Sequence, residues 1–309
     1  MMRSLLFVPG DSARKFTRAR EGAADALILD LEDSVAAAQK DAARRITQEM
    51  LSPERGTQAL YVRVNAFDSG RTLGDLAAVM PHRPDGIVLP KCSGAADVAR
   101  LAQYLDAFEA AAGHEVGAAR IIGVATETAQ SIFGLGSYQG SSPRLLGIMW
   151  GGEDLAASLG STENNVEGVF TGPFVLARNL CLMGAAAAGI LAIDTVSTRI
   201  KDLELVEAEA RAARRDGFGA KAVIHPSHVD IVNRAFTPTE AEAAWAERVV
   251  AAFQDDPQAG VVTIDGKMID KPHERAAQKI LAALGRQARA APRTDDTGGE
   301  ARTDADNHQ

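Results

Sequence analysis

The chain has 309 residues, enough for one large domain or two ordinary ones, and 46% of them are hydrophobic, so a substantial core can be buried. A net charge of −8 argues against nucleic acid or an anionic membrane as the main partner, while leaving open a small anionic substrate held by local arginines. Two cysteines far apart, Cys92 and Cys181, form no CxxC pair and argue against a zinc ribbon or disulfide framework.

At the N-terminus Arg3 is followed by only a short apolar run over 5–9, which reads as a strand rather than a signal peptide. No apolar stretch reaches the roughly 18 residues of a membrane span, and 184–193 is too short. A soluble, cytoplasmic protein is expected. In chain order, compact apolar runs mark strands at 4–8, 26–31, 59–64, 86–89, 120–125, 145–149, 191–194 and 220–224. Each is nearly continuous in apolar residues, as in strands buried on both faces. Helical patterns lie between them, for example at 12–21, 36–51, 95–112 and 203–216. Eight βα units over about 225 residues predict a (β/α)8 TIM barrel. A doubly wound sheet is the alternative, but Val8-Pro9-Gly10-Asp11-Ser12 lacks the GxGxxG spacing of a dinucleotide turn.

Beyond 236 the pattern changes. Thr237 or Thr239 can cap a helix running to 254, a strand fits 261–264, Asp265-Gly266 makes a turn, and a further helix fits 271–284. The last stretch is rich in Thr, Asp, Gly and Ala with almost no large apolar residue. The expected division is therefore a barrel over 1–236, a C-terminal helical extension or lid over 237–288, and a disordered tail over 289–309.

The active site of such a barrel lies at the C-terminal ends of its strands. That rim would carry Asp11, Asp30, Glu32, Asp33, Arg63, Asn65, Lys91, Glu127, Glu153, Asp154, Asp194 and His225, more ionisable groups than a bland barrel needs. Glu127 and Asp154 end neighbouring strands without a His or Cys partner. Two hard oxygen donors with open positions suit Mg²⁺, and Gly151-Gly152 permit close backbone approach. Alternatively these acids cap the helices that follow. Arg63, flanked by apolar strand residues, needs an anionic partner: a substrate carboxylate, or Asp30 or Glu32 from the adjacent strand. Arg14 and Arg18, at i and i+4, share one face of the first helix and could hold a phosphate chain or form a solvated basic face. Lys91 at a strand end leaves Schiff-base chemistry open.

Arg3-Ser4-Leu5-Leu6-Phe7-Val8-Pro9-Gly10, Leu29-Asp30-Leu31-Glu32-Asp33-Ser34-Val35, Val62-Arg63-Val64-Asn65, Leu89-Pro90-Lys91, Glu127-Thr128-Ala129, Gly151-Gly152-Glu153-Asp154-Leu155 and Ile224-His225-Pro226 occur in that order. Together, over about residues 3–287, they resemble the citrate lyase beta-subunit-like branch of the HpcH/HpaI aldolase and citrate lyase superfamily, which includes malyl-CoA and citramalyl-CoA lyases. The resemblance implies a (β/α)8 barrel, Mg²⁺, homotrimers or hexamers, and an acyl-CoA thioester with a small 2-keto acid as reactants. It implies Glu127 and Asp154 as metal ligands, with Glu127 also at the substrate, and Arg63 as the substrate-binding and catalytic cation. Arg14 and Arg18 would meet the CoA phosphates, and Ile224 and His225 the pantetheine or adenine. Asp270 would be a catalytic acid on a C-terminal lid that can reach a neighbouring subunit's site. The activity implied is Mg²⁺-dependent cleavage or formation of a 3-hydroxyacyl-CoA thioester. The alternatives are a malyl-CoA-type thioester hydrolase, a citrate lyase beta subunit acting on an acyl-carrier-protein thioester, and a non-catalytic CoA-binding barrel.

Overall fold

The computed structural model describes residues 1–51 and 56–285. The tail expected over 289–309 lies outside the described residues. Eight strands form a closed, wholly parallel barrel: β1 (Ser4–Pro9), β2 (Ala26–Asp30), β3 (Ala59–Arg63), β4 (Gly86–Leu89), β5 (Arg120–Val124), β6 (Leu145–Met149), β7 (Leu191–Asp194) and β8 (Ala220–Val223). Each pairs with its neighbour in the chain, and β8 returns to pair with β1. That closure removes the doubly wound alternative.

The helices that follow the strands are α1 (Ala13–Arg20), α2 (Lys40–Met50), α3 (Thr72–Val79), α4 (Ala95–Ala111), α5 (Ala129–Gly134), α6 (Glu153–Leu159), α7 (Gly172–Ala188), α8 (Leu203–Asp216) and α9 (Val229–Phe236). A short ribbon, Asn165–Val166 against Val169–Phe170, precedes α7 and carried no clear sequence signal. No described helix is long and apolar enough to cross a membrane.

The continuous apolar runs divide by strand parity. Leu5, Ile28, Tyr61, Val88, Ile122, Met149, Ile193 and Ala222 fill the barrel interior. Leu27, Leu29, Val62, Ile87, Leu89, Ile121, Ile148 and Val223 face the helices. Burying each such large aliphatic side chain contributes roughly 1.5–3 kcal/mol, so both faces of every strand are held. Gly86 makes room for an aromatic in the lumen: a Cβ there would stand 2.6 Å from Tyr61 Cε1. The same alternation fixes the rim. Asp30 has the parity of Ile28 and Arg63 that of Tyr61, and the β2–β3 register sets Asp30 opposite Arg63. Both side chains therefore turn inward at the C-terminal mouth.

A second compact unit begins at Pro238. It comprises α10 (Glu240–Asp255), an antiparallel ribbon of Val261–Ile264 with Lys267–Asp270, and α11 (Lys271–Ala283). The extension follows the expected order of helix, strand, turn and helix, with Lys267–Asp270 as the added partner strand, because Asp265 and Gly266 both adopt positive φ and fold the chain back on itself. Thr239, not Thr237, caps α10, in a capping box with Glu242. Ala246, Val249, Val250, Phe253, Ile269, Ala277 and Leu281 form this unit's own core.

Candidate active site

The C-terminal mouth of the barrel opens into a cavity of about 430 Å³ whose lining includes Phe7, Asp30, Arg63, Glu127, Trp150, Asp154 and Ile224. Phe7, Val124 and Met149 make its lumen side apolar, so the charged groups above act against a low-dielectric floor.

Of the two kinds of partner foreseen for Arg63, the structure shows the carboxylates of the adjacent strand. Its Nε and Nη2 donate to Asp30 Oδ1 and Oδ2, each at 2.7 Å, a bidentate pair. Its Nη1 lies 3.2 Å from Glu32 Oε2 and 3.4 Å from Asp33 Oδ2, and its guanidinium stands 5.0 Å from the Phe7 ring centroid. The pair with Asp30 fixes the plane of the guanidinium while the group still lines the cavity. Burial penalises the Asp30 carboxylate, but the hydrogen bonds and charge of Arg63, with the hydrogen bonds from Ser34 and Glu32, together outweigh it and hold Asp30 below its ordinary value.

Glu127 is buried just before α5, where the Thr128–Ser131 capping box sets the start of that helix. Its Oε2 accepts the Lys91 N–H at 2.5 Å. A Cβ on Gly151 would lie 3.2 Å from Glu127 Cγ, so the glycine lets the loop after β6 close over this carboxylate. Thr126 locks that loop: its hydroxyl donates to the Gly151 carbonyl at 3.0 Å and accepts the Gly151 N–H at 2.8 Å. Asp154 is not a helix cap. Gly152 holds the N-cap position of α6, and Asp154 Oδ1 instead reaches Lys91 Nζ at 3.1 Å.

Glu32 and Lys91 complete the cluster. Lys91 Nζ donates to Glu32 Oε1 at 2.9 Å, and Glu32 Oε2 is buried without a hydrogen-bond partner. Burial, together with the charge of Glu32, pushes Glu127 up to about 8. Burial also pushes Glu32 up to about 7, against the pull of Arg63 and Lys91. Burial lowers Lys91, yet the hydrogen bond to Glu32 and the charges of Glu32 and Asp154 win, holding the ammonium above the ordinary lysine value. A lysine so held is a poor Schiff-base nucleophile.

This donor set fits a hard divalent cation. Glu32, Glu127 and Asp154 crowd three carboxylates around Lys91, with Arg63 already gripped by Asp30, a cluster whose negative charge a divalent cation would offset. Among the described residues no three His, Cys, Asp or Glu side chains form a ready metal cage. A cation held by Glu127 and Asp154 would thus be completed by water, the habit of Mg²⁺.

Arg14 and Arg18 are exposed on α1, which Ser12 caps at the barrel mouth. Ile224 lines the cavity. His225 is exposed, its Nδ1 2.7 Å from Ser227 Oγ. Asp270 ends the ribbon of the second unit and caps α11, with Oδ1 2.5 Å from His273 Nδ1. Sequence reasoning offered Glu32 only as an ion-pair partner of Arg63 and Lys91 only as a Schiff-base candidate, and did not connect the two. Their signal was strand parity combined with register, which needs the barrel to be closed.

Comparison with known proteins agrees with this geometry. The profile of the HpcH/HpaI aldolase/citrate lyase family matches residues 3–226. A citrate lyase subunit beta of Leuconostoc mesenteroides subsp. cremoris is 32% identical over 91% of this chain and 92% of its own length. A (3S)-malyl-CoA thioesterase of Cereibacter sphaeroides is 35% identical over 91% and 93%. Among solved structures, CitE of Mycobacterium tuberculosis in complex with magnesium, acetoacetate and coenzyme A aligns with a TM-score of 0.75 at 34% identity, covering 92% of this chain and 98% of that one. The eight-stranded barrel, the matched span and these relatives together establish that the chain belongs to the HpcH/HpaI aldolase/citrate lyase family of enzymes, in its citrate lyase beta-subunit-like branch.

Proposed function

We propose that this protein is a Mg²⁺-dependent carbon–carbon lyase that cleaves or forms a 3-hydroxyacyl-CoA thioester of the malyl-CoA or citramalyl-CoA kind. The observation that carries the reading is the joint placement of Glu127, Asp154 and the Asp30-anchored Arg63 on one cavity with an apolar floor. The relatives bound to magnesium, coenzyme A and small keto acids support it.

Glu127 and Asp154 would hold the metal, which when bound supplies a Lewis acid for the carboxylate and carbonyl oxygens of the keto acid. Arg63, its plane fixed by Asp30, neutralises charge developing on the thioester enolate oxygen without reorganising at the moment of reaction. The hydrogen bond from His273 holds Asp270 below the ordinary carboxylate range, in the proton-accepting form required of a base at the acetyl carbon. Arg14 and Arg18 meet the CoA phosphates, and Ile224 and His225 its pantetheine or adenine. In this reading the protein assembles as a homotrimer or hexamer; the exposed Phe133 of α5 and Leu176 and Met183 of α7 are apolar side chains that assembly would cover. The free, buried thiols of Cys92 and Cys181 suit a cytoplasmic setting.

A second reading, hydrolysis of a malyl-CoA-type thioester, is favoured by the 35% identity to the thioesterase. A third, action on an acyl-carrier-protein thioester, is favoured by the citrate lyase subunit at 32%. Purified protein with Mg²⁺, offered malyl-, citramalyl- and citryl-CoA with keto acid and free thiol measured separately, distinguishes them. Keto acid without free thiol supports the lyase; free thiol without keto acid overturns it in favour of the hydrolase.

A further inference from the structure

Lys91 follows Pro90 at the end of β4 and adopts φ 51°, the left-handed region that a side chain other than glycine's rarely enters. That conformation aims its backbone N–H at Glu127 Oε2, 2.5 Å away. From the same residue the ammonium spans Asp154 Oδ1 at 3.1 Å and Glu32 Oε1 at 2.9 Å. Glu32 then reaches Arg63 Nη1 at 3.2 Å, and Arg63 grips Asp30. Charges alternate in sign along one chain, Asp154, Lys91, Glu32, Arg63, Asp30, crossing the barrel mouth from β6 to β2.

We propose that Lys91 is the positioning residue of this site: its left-handed amide fixes Glu127, its ammonium fixes Asp154, and through Glu32 it sets Arg63 in register with both. This rests on the metal reading of Glu127 and Asp154. Strain at a residue persists only where its surroundings determine it, and here the Lys91 N–H and ammonium both contact members of the site, while its carbonyl accepts the Ser93 hydroxyl at 3.5 Å. Two opposite consequences separate positioning from mere proximity. A cation that only neighbours the carboxylates competes with Mg²⁺, and its removal tightens metal binding. A cation that orients them helps the metal, and its removal weakens binding, by the roughly 10–100-fold typical of residues that orient metal ligands.

The test is calorimetric titration of Mg²⁺, without substrate, into wild type, Lys91→Met, Lys91→Gly and Lys91→Arg, with kcat and KM measured alongside at saturating Mg²⁺. Glycine adopts the left-handed angle without strain and removes the whole side chain with its ammonium while keeping the backbone N–H, so it serves if the methionine variant fails to fold. Lys91→Met and Lys91→Gly are expected to weaken Mg²⁺ binding about 10-fold or more, with kcat still lowered at saturating metal because Arg63 has lost its register. Lys91→Arg is expected to recover part of both. Unchanged or tighter Mg²⁺ binding in the methionine and glycine variants overturns the proposal while leaving the metal reading intact. If wild type binds no Mg²⁺, and Glu127→Ala behaves as wild type does, the metal reading falls and the proposal with it.

Discussion

Glu127 and Asp154 differ in setting, and that predicts how each will respond to change. Glu127 is buried and fixed by the Lys91 amide, whereas Asp154 is partly exposed and fixed only by an ammonium. Replacing either by alanine is expected to abolish Mg²⁺-dependent cleavage while far-UV circular dichroism remains that of the folded barrel; full activity in both variants excludes them as ligands. Arg63 is a sharper case, because lysine preserves its charge but not the fork that grips Asp30. Arg63→Lys is expected to lower kcat/KM by roughly 10²–10³-fold, the cost of losing one oriented donor at developing charge. Steady-state kinetics within a few-fold of wild type would show that point charge suffices. Arg63 and the two acids were legible in the sequence because charged residues at the ends of apolar strands are conspicuous. The contact of Lys91 with Glu32 and Asp154 was not legible, since it depends on which strand ends meet across the barrel mouth.

At the scale of elements, β6, β7 and β8 are tied behind the rim by a buried network. Asp194 accepts from Trp150 Nε1 at 2.7 Å and Lys221 Nζ at 2.8 Å, with Arg178 Nε at 3.4 Å. Burial opposes ionisation of Asp194, but the charges of Lys221 and Arg178 and the hydrogen bonds outweigh it and hold the carboxyl below its ordinary 3.8. Its contribution to stability is therefore full above pH ~4 and lost as pH falls through the lowered folded value. Asp194→Asn removes the nearest charge partner of the buried Lys221 ammonium, leaving the Thr195 carbonyl at 2.7 Å and Glu209 at 3.6 Å, and is expected to cost roughly 3 kcal/mol at neutral pH. The deficit relative to wild type should shrink below about pH 4. Denaturant melts at pH 7 and in acid check both statements, and a pH-independent deficit counts against the ionised pair. In the second unit, Thr239→Ala removes the capping box of α10 and is expected to cost about 1 kcal/mol, measured by the same melts. The helices α5 and α6 were poorly marked in the sequence because they have only six and seven residues, too few for a 3.6-residue period to stand out.

At the scale of the whole molecule, the division after Thr237 separates two units with separate cores. A chain ending at Thr237 is expected to keep cooperative thermal unfolding, since the barrel cores contain no residue of the extension; a non-cooperative melt would show that the extension is needed for folding. Asp270→Ala in the full chain is expected to impair condensation or hydrolysis far more than Mg²⁺ affinity, and the reverse in a metal titration counts against a base on the extension. The barrel itself was readable from the sequence by repetition: eight apolar runs spaced by helices leave few ways to bury both faces of a parallel sheet. The ordered motifs likewise identified the family and, through it, singled out Glu127 and Asp154 as candidate metal ligands and Arg63 as the candidate substrate cation. Only the tertiary structure decided that Asp30 is the anchor of Arg63, that Asp154 pairs with Lys91 instead of capping α6, and that Glu32 joins the two. Those pairings depend on inter-strand register and on one left-handed backbone angle, and neither is encoded in periodicity along the chain.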